Sequence, residues 1–330
     1  MSRKIMKLLL SIVMTITVFV SGCGAGGQEA DTGETPETAK EAESQDETSA
    51  EEESTETSGA YPVTVTDSYG NEIVIEEEPE RIISLTPANT EILFAIGAGE
   101  RMVGRTDYCT YPKEAQAVES IGNYCTPNAE LIISKDPDVI FTEYLEDSIK
   151  QQIEAAGTKV VTYTANSIQE TEDLILLMGQ VLNLDENAKA LVDSMEKDLD
   201  EVMIALAPLS TYKSVFLDLG DYYSAGPGSL LDDVLNKVNV FNIAADGGEA
   251  WPQVSLEVII EKNPDIYISM HSTPEELAGM AGISGLDCIK NGDIIYIEEN
   301  SPDSELVARP GPRIVEGVRL LAEKIYPERF

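Results

Sequence analysis

The chain has 330 residues, which is enough for about two domains with substantial hydrophobic cores. Hydrophobic residues make up 42% of it and aromatic residues 6%, a globular composition that argues against fibrous, fully disordered and polytopic membrane proteins. Sixty acidic and 22 basic residues give a net charge of −38, which argues against nucleic-acid binding. The single histidine, His271, excludes a site built from several imidazoles.

The amino terminus has the pattern of an export signal. Three basic residues precede an uncharged apolar run of thirteen residues, Leu8 to Val20, which is too short to span a bilayer comfortably. The run ends at Val20-Ser21-Gly22-Cys23, which resembles the bacterial lipobox, where cleavage occurs before a lipid-modified cysteine. We therefore predict a signal peptide over residues 1–23 and a lipid anchor on Cys23 at the outer face of the cell membrane.

An acidic linker follows the signal peptide. Residues 24–59 contain twelve acidic residues and one lysine among many Ser, Thr and Gly, a composition that predicts a disordered, self-repelling tether. The signal carries +3 and the tether −11, which leaves −30 on residues 60–330. The folded part is therefore acidic in its own right, and this disfavours a strongly anionic ligand unless a local cluster of cations overrides the field.

Short apolar runs and helical patterns alternate in the first half of the folded part. Residues 63–76 alternate apolar and polar residues around a turn-rich stretch, which predicts a β-hairpin. The alternation that follows predicts βαβ units with a mainly parallel sheet. Its apolar runs are Ile82–Leu85, Val139–Phe141 and Lys159–Val161, and its helical patterns are Thr90–Ile96 and Ile149–Ala156.

A second α/β segment follows a long helix. An apolar stripe with spacings of three and four residues predicts this helix from Glu186 to Ala207, with Asp185 as its N-cap. We therefore predict an α/β fold in which a single long helix (186–208) joins two Rossmann-like α/β lobes (60–185 and 209–330). The stripe consists of Leu191, Met195, Leu199, Val202 and Leu206, and the later elements are strands at Val215–Leu217, Ile266–Ile268 and Ile294–Tyr296 and a last helix, Ile314–Ile325.

An internal repeat links the two segments. Residues 128–142 align without a gap on residues 255–269, an offset of 127 residues, with six of fifteen positions identical. In each copy a polar cap starts a short helix, a Lys-Xaa-Pro-Asp segment stops it, and an apolar strand follows. The repeat indicates two lobes with one plan. It places Glu130 and Glu257 at the same point of a first helical turn, where a carboxylate complements the helix dipole.

The motifs of common enzymes are absent from the sequence. It contains no Gly-x-Ser-x-Gly elbow, no Walker loop and no Gly-x-Gly-x-x-Gly at a strand-to-helix turn. The glycines of Ile96-Gly97-Ala98-Gly99 follow a helical run, so they predict a helix stop. His271 follows a predicted strand, where it is either a ligand-facing or a surface residue. We predict no enzyme, no cofactor and no metal site.

Cysteine, aromatic and arginine residues occur in the irregular segments after the strands. Cys109 and Cys125 can pair outside the cytoplasm or remain thiols, and neither has a CxxC partner that would indicate zinc or redox chemistry. Aromatic rings in loops around a cleft give rigid contact area for a large ligand. The aromatic residues are Tyr108, Tyr111, Tyr124, Tyr144, Tyr222, Tyr223 and Trp251, and the arginines that can reach the same region are Arg105, Arg309 and Arg313, of which Arg313 is expected to open the last helix.

Several segments resemble one transport family. Residues 81–97, followed by Asp107-Tyr-Cys-Thr-Tyr-Pro112, resemble the first lobe of helical-backbone substrate-binding proteins of ABC importers for cobalamin, ferric siderophores and haem. Trp251-Pro-Gln-Val-Ser255, followed by Glu257, is similar to the second-lobe signature of the cobalamin-binding member. The resemblance covers about residues 81–325 and implies a ligand cleft between the two lobes.

The resemblance also implies roles for individual residues. Four of them match an aromatic cleft around a corrin: Tyr108, Tyr124, Tyr223 and Trp251. Glu305 and Arg309 match a polar pair at the edge of that cleft. Glu130 and Glu257 match the glutamates that dock onto the two subunits of an ABC permease dimer, which works with ATPase subunits. The implied function is capture of cobalamin or a related corrinoid and its delivery to the permease, and the alternative is a ferric siderophore or haem.

The sequence also departs from the family pattern. Glu143 replaces an aromatic residue after the 139–142 strand, and Tyr124 stands where a tryptophan can occur. The cleft is therefore expected to be more polar than in the cobalamin-binding member, which leaves a different corrinoid or haem open. Ferric catecholates rank below an almost neutral corrinoid, because Arg309 is the main matched cation in an acidic protein.

Overall fold

The structure, a computed structural model, describes residues 61–207 and 209–330. The predicted signal peptide, acidic linker and lipidated Cys23 lie outside the described residues and stay predictions. Among the described helices, none is both long enough and apolar enough to cross a membrane.

The described residues form ten strands and eleven α-helices. The strands are β1 (Val63–Thr66), β2 (Glu72–Ile75), β3 (Ile82–Ser84), β4 (Met102–Arg105), β5 (Val139–Thr142), β6 (Lys159–Thr162), β7 (Ser214–Asp218), β8 (Phe241–Asn242), β9 (Ile266–Ser269) and β10 (Ile294–Tyr296). The helices are α1 (Pro87–Ala95), α2 (Ala129–Ser134), α3 (Asp147–Ala155), α4 (Ile168–Val181), α5 (Asp185–Leu206), α6 (Leu230–Lys237), α7 (Leu256–Lys262), α8 (Pro274–Gly279), α9 (Asp287–Asn291), α10 (Pro302–Ala308) and α11 (Ile314–Ile325).

Two parallel sheets with the same strand order form the centres of the two lobes. The first sheet has the order β4-β3-β5-β6 and the second β8-β7-β9-β10, so each lobe places its first strand between its second and third. The strands β3, β5, β7 and β9 are buried, as expected for parallel strands covered by helices on both faces. The predicted α/β fold with two similar lobes is confirmed.

Most elements form where the sequence predicts them. All six apolar runs are strands, the hairpin is the antiparallel pair β1–β2, and the last helix has the predicted limits. The strands β4 and β8 are missing from the prediction. Gly104 and the arginine that ends β4 interrupt any apolar run there, and β8 has only two residues, too few for a periodic pattern.

The long helix α5 occurs as predicted, but its start differs. Met195, Val202 and Leu206 of the predicted stripe are buried, and α5 packs against both α4 and α11. The prediction of Asp185 as N-cap is wrong, because Leu184 precedes the helix and gives no side-chain cap. The chain arrives there through Asn183, whose backbone is left-handed (φ 56°), so that Asp185 is already the first helical residue.

The internal repeat is reproduced in the backbone of both lobes. Asn128 caps α2 by accepting a hydrogen bond from the Leu131 N–H (3.1 Å), and Ser255 caps α7 by accepting one from the Val258 N–H (3.4 Å). The residues before the two repeat prolines, Asp136 and Asn263, are both left-handed, with φ of 48° and 40°.

The repeat aspartates also have equivalent contacts. Asp138 Oδ2 accepts hydrogen bonds from the N–H groups of Glu80 and Arg81, both at 2.8 Å, just before β3. Asp265 Oδ2 accepts from the N–H and the hydroxyl of Ser214, at 2.7 and 2.8 Å, where β7 begins. Each aspartate therefore fixes the start of the first strand of its own lobe.

A buried carboxyl group lies where α4 of the first lobe packs against α6 of the second. Glu172 of α4 is 4% exposed. Burial raises its pKa from the ordinary 4.5 to about 7, and the Glu196 carboxylate adds to the rise while Lys237 opposes it. Because this pKa is raised, the folded protein keeps a proton on Glu172 up to a higher pH than the unfolded chain does. The stabilisation of the folded state by this bound proton is fully present below pH 4.5 and is lost as the pH rises through 7.

We expect Glu172→Gln to raise the free energy of unfolding at pH 8 by about 1–2 kcal/mol, because the amide carries no charge to bury. The gain should disappear at pH 4, where both side chains are neutral. Urea denaturation at the two pH values measures this difference. Glu186→Gln, at an exposed position of α5, is the matched control and should change stability by less than about 0.5 kcal/mol at either pH. An equal effect of Glu172→Gln at both pH values would contradict the assignment.

Candidate functional site

The carboxyl ends of both sheets face one cavity of about 690 Å³. Strands of the first lobe lead to it through Pro87, Ala88 and Glu143, and strands of the second lobe through Leu219, Met270, His271, Glu299 and Asn300. Residues of α10 and of the two positions after it complete the lining: Ser304, Glu305, Ala308, Arg309 and Pro310. Open α/β sheets bind ligands beyond the carboxyl ends of their strands, so this cavity is the candidate ligand site. The cleft lies between the lobes, as the resemblance implies.

A smaller cavity of about 430 Å³ lies on the first lobe and includes Tyr124. Glu143 lines both cavities. The ring of Tyr108 contacts that of Tyr124 edge to face, with 5.6 Å between ring centroids. Both side chains are half exposed (51% and 50%), which leaves much of their ring surface free to contact a ligand.

Tyr223 and Trp251 lie on two adjacent segments of the second lobe. Residues 222–226 run antiparallel to residues 250–254, with hydrogen bonds from the Ser224 N–H to the Pro252 carbonyl and from the Gly226 N–H to the Ala250 carbonyl (both 2.9 Å). A Cβ on Gly226 would lie 2.2 Å from the Glu249 carbonyl oxygen, so only glycine allows this approach. Tyr223 and Trp251 are 42% and 53% exposed, and neither lines the two cavities described above.

Two residues that line the larger cavity, Glu305 and Arg309, belong to an ion-pair cluster. Arg309 Nη1 donates to Glu91 Oε1 at 2.5 Å, and Arg309 Nη2 lies 3.0 Å from Glu305 Oε1. Arg313 donates to both oxygens of Glu91, through Nε at 2.8 Å and Nη2 at 2.7 Å. The Arg313 guanidinium also stacks on the Tyr111 ring, 3.7 Å from its centroid. Thus Glu305 and Arg309 come together as predicted, and they do so with three further residues.

Sequence reasoning missed Glu91, the residue at the centre of the cluster. Its carboxylate is 3% exposed and belongs to α1, within the helical pattern Thr90–Ile96. A charged residue inside an otherwise uncharged, apolar helical pattern is a signal that a charged partner exists, because unpaired carboxylates are rarely buried. Arg313 is the N-cap residue of α11 as predicted, but its side chain extends to Glu91.

Glu143 and His271 are two further titratable residues that line the larger cavity. Burial raises the pKa of Glu143, while the nearby charge of Arg309 opposes the rise. His271 is exposed and lines the larger cavity, which agrees with the ligand-facing alternative. Gly220, with φ of +109°, lies under its ring, and a Cβ there would be 3.2 Å from the imidazole.

Two further alternatives from the sequence are decided by the structure. Cys109 and Cys125 are free thiols, the first buried and 3.2 Å from the Thr106 hydroxyl, and the second exposed beside Tyr124. Arg105 does not reach the cavity, because its guanidinium donates to the carbonyls of Thr106 and Ala115, both at 2.8 Å.

Glu130 and Glu257 occupy equivalent exposed positions in the first turns of α2 and α7. Neither carboxylate forms an ion pair with any described residue. Across residues 61–207 and 209–330, no group of three His, Cys, Asp or Glu side chains is arranged to hold a metal ion.

Comparisons with known proteins agree with this architecture. Residues 82–300 match the family described as periplasmic binding protein. An uncharacterised ABC transporter substrate-binding lipoprotein, YvrC, of Bacillus subtilis (strain 168) is 34% identical over 281 residues, which cover 82% of this chain and 87% of that protein.

Other relatives carry names that mention a ligand. A cobalamin-binding protein of Halobacterium salinarum (strain ATCC 29341 / DSM 671 / R1) is 25% identical over 81% of this chain and 75% of its own. A vitamin B12-binding protein of Salmonella choleraesuis (strain SC-B67) is 28% identical over 74% and 90%. The crystal structure of a possible iron-binding, periplasmic solute-binding protein from Staphylococcus epidermidis ATCC 12228 is 32% identical, with a TM-score of 0.66 over 76% of this chain and all of that one.

Proposed function

The chain belongs to the periplasmic binding protein family, and from that membership we propose that it is an extracytoplasmic lipoprotein that binds cobalamin or a related corrinoid for an ABC importer. The observation that carries the proposal is the cavity of about 690 Å³ between the carboxyl ends of the two sheets. The role of the protein is to capture the corrinoid and to deliver it to a membrane permease without chemical turnover.

The corrinoid assignment is supported by the relatives and by the charges of the cavity. Two relatives at 25% and 28% identity are named for cobalamin or vitamin B12. Arg309, the only Lys or Arg among the described residues that line the larger cavity, is already bonded to two carboxylates. A macrocycle with neutral amide groups at its edge suits such a cavity better than a highly anionic chelate.

The proposal also assigns four aromatic side chains to the ligand-binding surface. Tyr108, Tyr124, Tyr223 and Trp251 are each about half exposed in segments that follow strands. We assign them to the contact surface for the corrin, with Glu305 and Arg309 at its edge. A large flat ligand gains most of its affinity from such rigid rings, because they lose little conformational entropy on binding.

An iron chelate, either haem or a ferric siderophore, is the alternative ligand. The similar solved structure from Staphylococcus epidermidis is named as a possible iron-binding protein. His271 at the wall of the cavity offers an imidazole nitrogen to a metal centre. A charge-transfer band on binding, lost in His271→Ala, would favour this alternative.

The permease is the proposed protein partner, together with its ATPase subunits. Glu130 and Glu257 are exposed at equivalent positions of two lobes with the same plan. We assign them to docking onto cationic pockets of the two permease subunits, because a pair of like sites fits a pair of like subunits. Lipidation of Cys23 would hold the protein next to the permease by its acyl chains.

Isothermal titration of the full-length protein tests the ligand assignment. Cyanocobalamin, dicyanocobinamide, haemin and a ferric siderophore are the ligands to compare. We expect one-to-one binding of a corrinoid with a dissociation constant below about 1 μM, that is, a binding free energy beyond about −8 kcal/mol. Binding of haemin or the siderophore alone would keep the transport role and replace the corrinoid.

A further inference from the structure

Glu91 binds both Arg309, which lines the larger cavity, and Arg313. Its carboxylate accepts three hydrogen bonds from Arg309 and Arg313, at 2.5 to 2.8 Å. The three side chains are well buried, with exposed fractions of 3%, 16% and 17%. Hydrogen bonds between ionised partners are the strong class, and burial shields them from solvent. The two guanidinium groups are therefore held by Glu91.

The remaining charges of the cavity are mostly negative. Glu305 lies 3.0 Å from Arg309 and 3.6 Å from Arg313, so it is a second carboxylate on the same two cations. Glu143 and Glu299 also line the cavity. A carboxylate on a ligand that approached Arg309 would meet these negative groups and would have to compete with Glu91 for the guanidinium.

Glu91 itself lies behind the cavity wall. Ala88, three residues earlier on α1, lines the cavity, whereas Glu91 is not among its lining residues. Residues three apart lie on the same helix face, so Glu91 is one turn further from the cavity on the side of Arg309. It therefore acts on a ligand through Arg309 and not by contact.

Resting on the proposed function, we infer that Glu91 sets the charge selectivity of the cavity. By holding Arg309 and Arg313, it makes the cavity prefer a macrocycle with neutral groups at its edge, such as amides, over one with carboxylates. Glu91 is thus a positioning residue that determines specificity.

Pairs of ligands that differ only in charge test this inference on the full-length protein. One pair is cyanocobalamin and a derivative in which one peripheral propionamide is hydrolysed to the acid. The other is haemin dimethyl ester and haemin. We expect the wild-type protein to bind the neutral member of a pair at least tenfold more tightly. Glu91→Gln should shift the ratio toward the acid by at least tenfold, because a freed guanidinium binds the new carboxylate.

Three further variants separate this effect from others. Glu201→Gln removes the same charge from a surface ion pair with Arg319 (3.2 Å) and should leave the ratio unchanged. Glu91→Asp keeps the charge and should keep the wild-type preference. Arg309→Gln, added to Glu91→Gln, should remove the gain for the acid. Thermal unfolding of each variant checks that it is folded.

The outcomes separate this inference from the proposed function. The identity of the macrocycle that binds tests the proposed function. The ratio of the affinities for the acidic and the neutral ligand of a pair tests the role of Glu91. A protein that binds only the haem pair would refute the corrinoid but not the role of Glu91. If Glu91→Gln leaves the acid-to-neutral ratio unchanged, or if the gain persists without Arg309, the inference is wrong. If the wild-type protein binds neither pair, binding of an acidic ligand by Glu91→Gln would still support the role of Glu91. If Glu91→Gln also fails to bind an acidic ligand, the inference is wrong.

Discussion

Replacing Trp251 by alanine should weaken corrinoid binding by at least thirtyfold, a loss of about 2 kcal/mol or more. The indole is 53% exposed on a segment that is fixed by backbone hydrogen bonds to residues 222–226, so its ring is available and held in place. Removing it deletes a large, rigid contact surface and leaves the backbone of the segment unchanged. Titration calorimetry measures the affinity of the variant.

Trp251 also provides its own optical probe. It is the single tryptophan of the chain, so intrinsic tryptophan fluorescence reports on this position alone. A corrin bound nearby should quench the emission, with a midpoint that equals the calorimetric dissociation constant.

Tyr212→Ala is the matched control for Trp251→Ala. Tyr212 is also an exposed aromatic residue (63%), but it precedes β7 and lies toward the end of the sheet opposite the cavity. Its replacement should change the affinity by less than twofold. An equal loss of corrinoid affinity in the two variants would mean that replacing Trp251 weakens binding by destabilising the protein. Unchanged affinity in Trp251→Ala would show that Trp251 is not part of the ligand-binding surface.

Reversing the charges of Glu130 and Glu257 together should reduce corrinoid uptake by cells to background. Both residues are exposed on first helical turns outside the cavity, so ligand affinity should change by less than twofold. The proposed permease pockets are cationic, and an arginine in place of each glutamate turns attraction into repulsion that costs several kcal/mol. Uptake of labelled cobalamin and calorimetric affinity are the two measurements.

A second pair of glutamates controls for the change in net charge. Glu186 and Glu323 are exposed on α5 and α11, and their double reversal to arginine alters the protein charge by the same amount. Uptake should then remain near the wild-type value. Loss of uptake in both double variants would point to the overall charge of the protein, and a parallel fall in ligand affinity for Glu130 and Glu257 would refute docking.

Much of the fold follows from local patterns in the sequence. Buried parallel strands such as β5 and β9 are continuous apolar runs, and α5 has an apolar stripe at helical spacing. These patterns depend on neighbours a few residues away, so they are visible without the structure. The strand β8 has no such pattern, because two residues cannot show a period.

The candidate site is only partly predictable, because it depends on contacts between residues that are far apart in the sequence. Glu91 pairs with Arg309 and Arg313, which are 218 and 222 residues further along the chain, and no local pattern records that distance. The family resemblance implies Glu305 and Arg309 as a pair, and the two residues meet because they are four residues apart at the end of α10. The family resemblance implies all four aromatic residues, and the rings of Tyr108 and Tyr124 are in contact. The positions of Tyr223 and Trp251 relative to the cavity, however, depend on the whole fold.

The bonds of Glu91 also have a mechanical consequence. Glu91 belongs to the first lobe and both arginines belong to the second, so these bonds fasten the lobes together beside the cleft. Widening the cleft there would separate buried opposite charges, and it would also part the Arg313 guanidinium from the Tyr111 ring of the first lobe (3.7 Å). Glu91 therefore adds to the packing of α5 on α11 and of α4 on α6 in resisting separation of the two lobes.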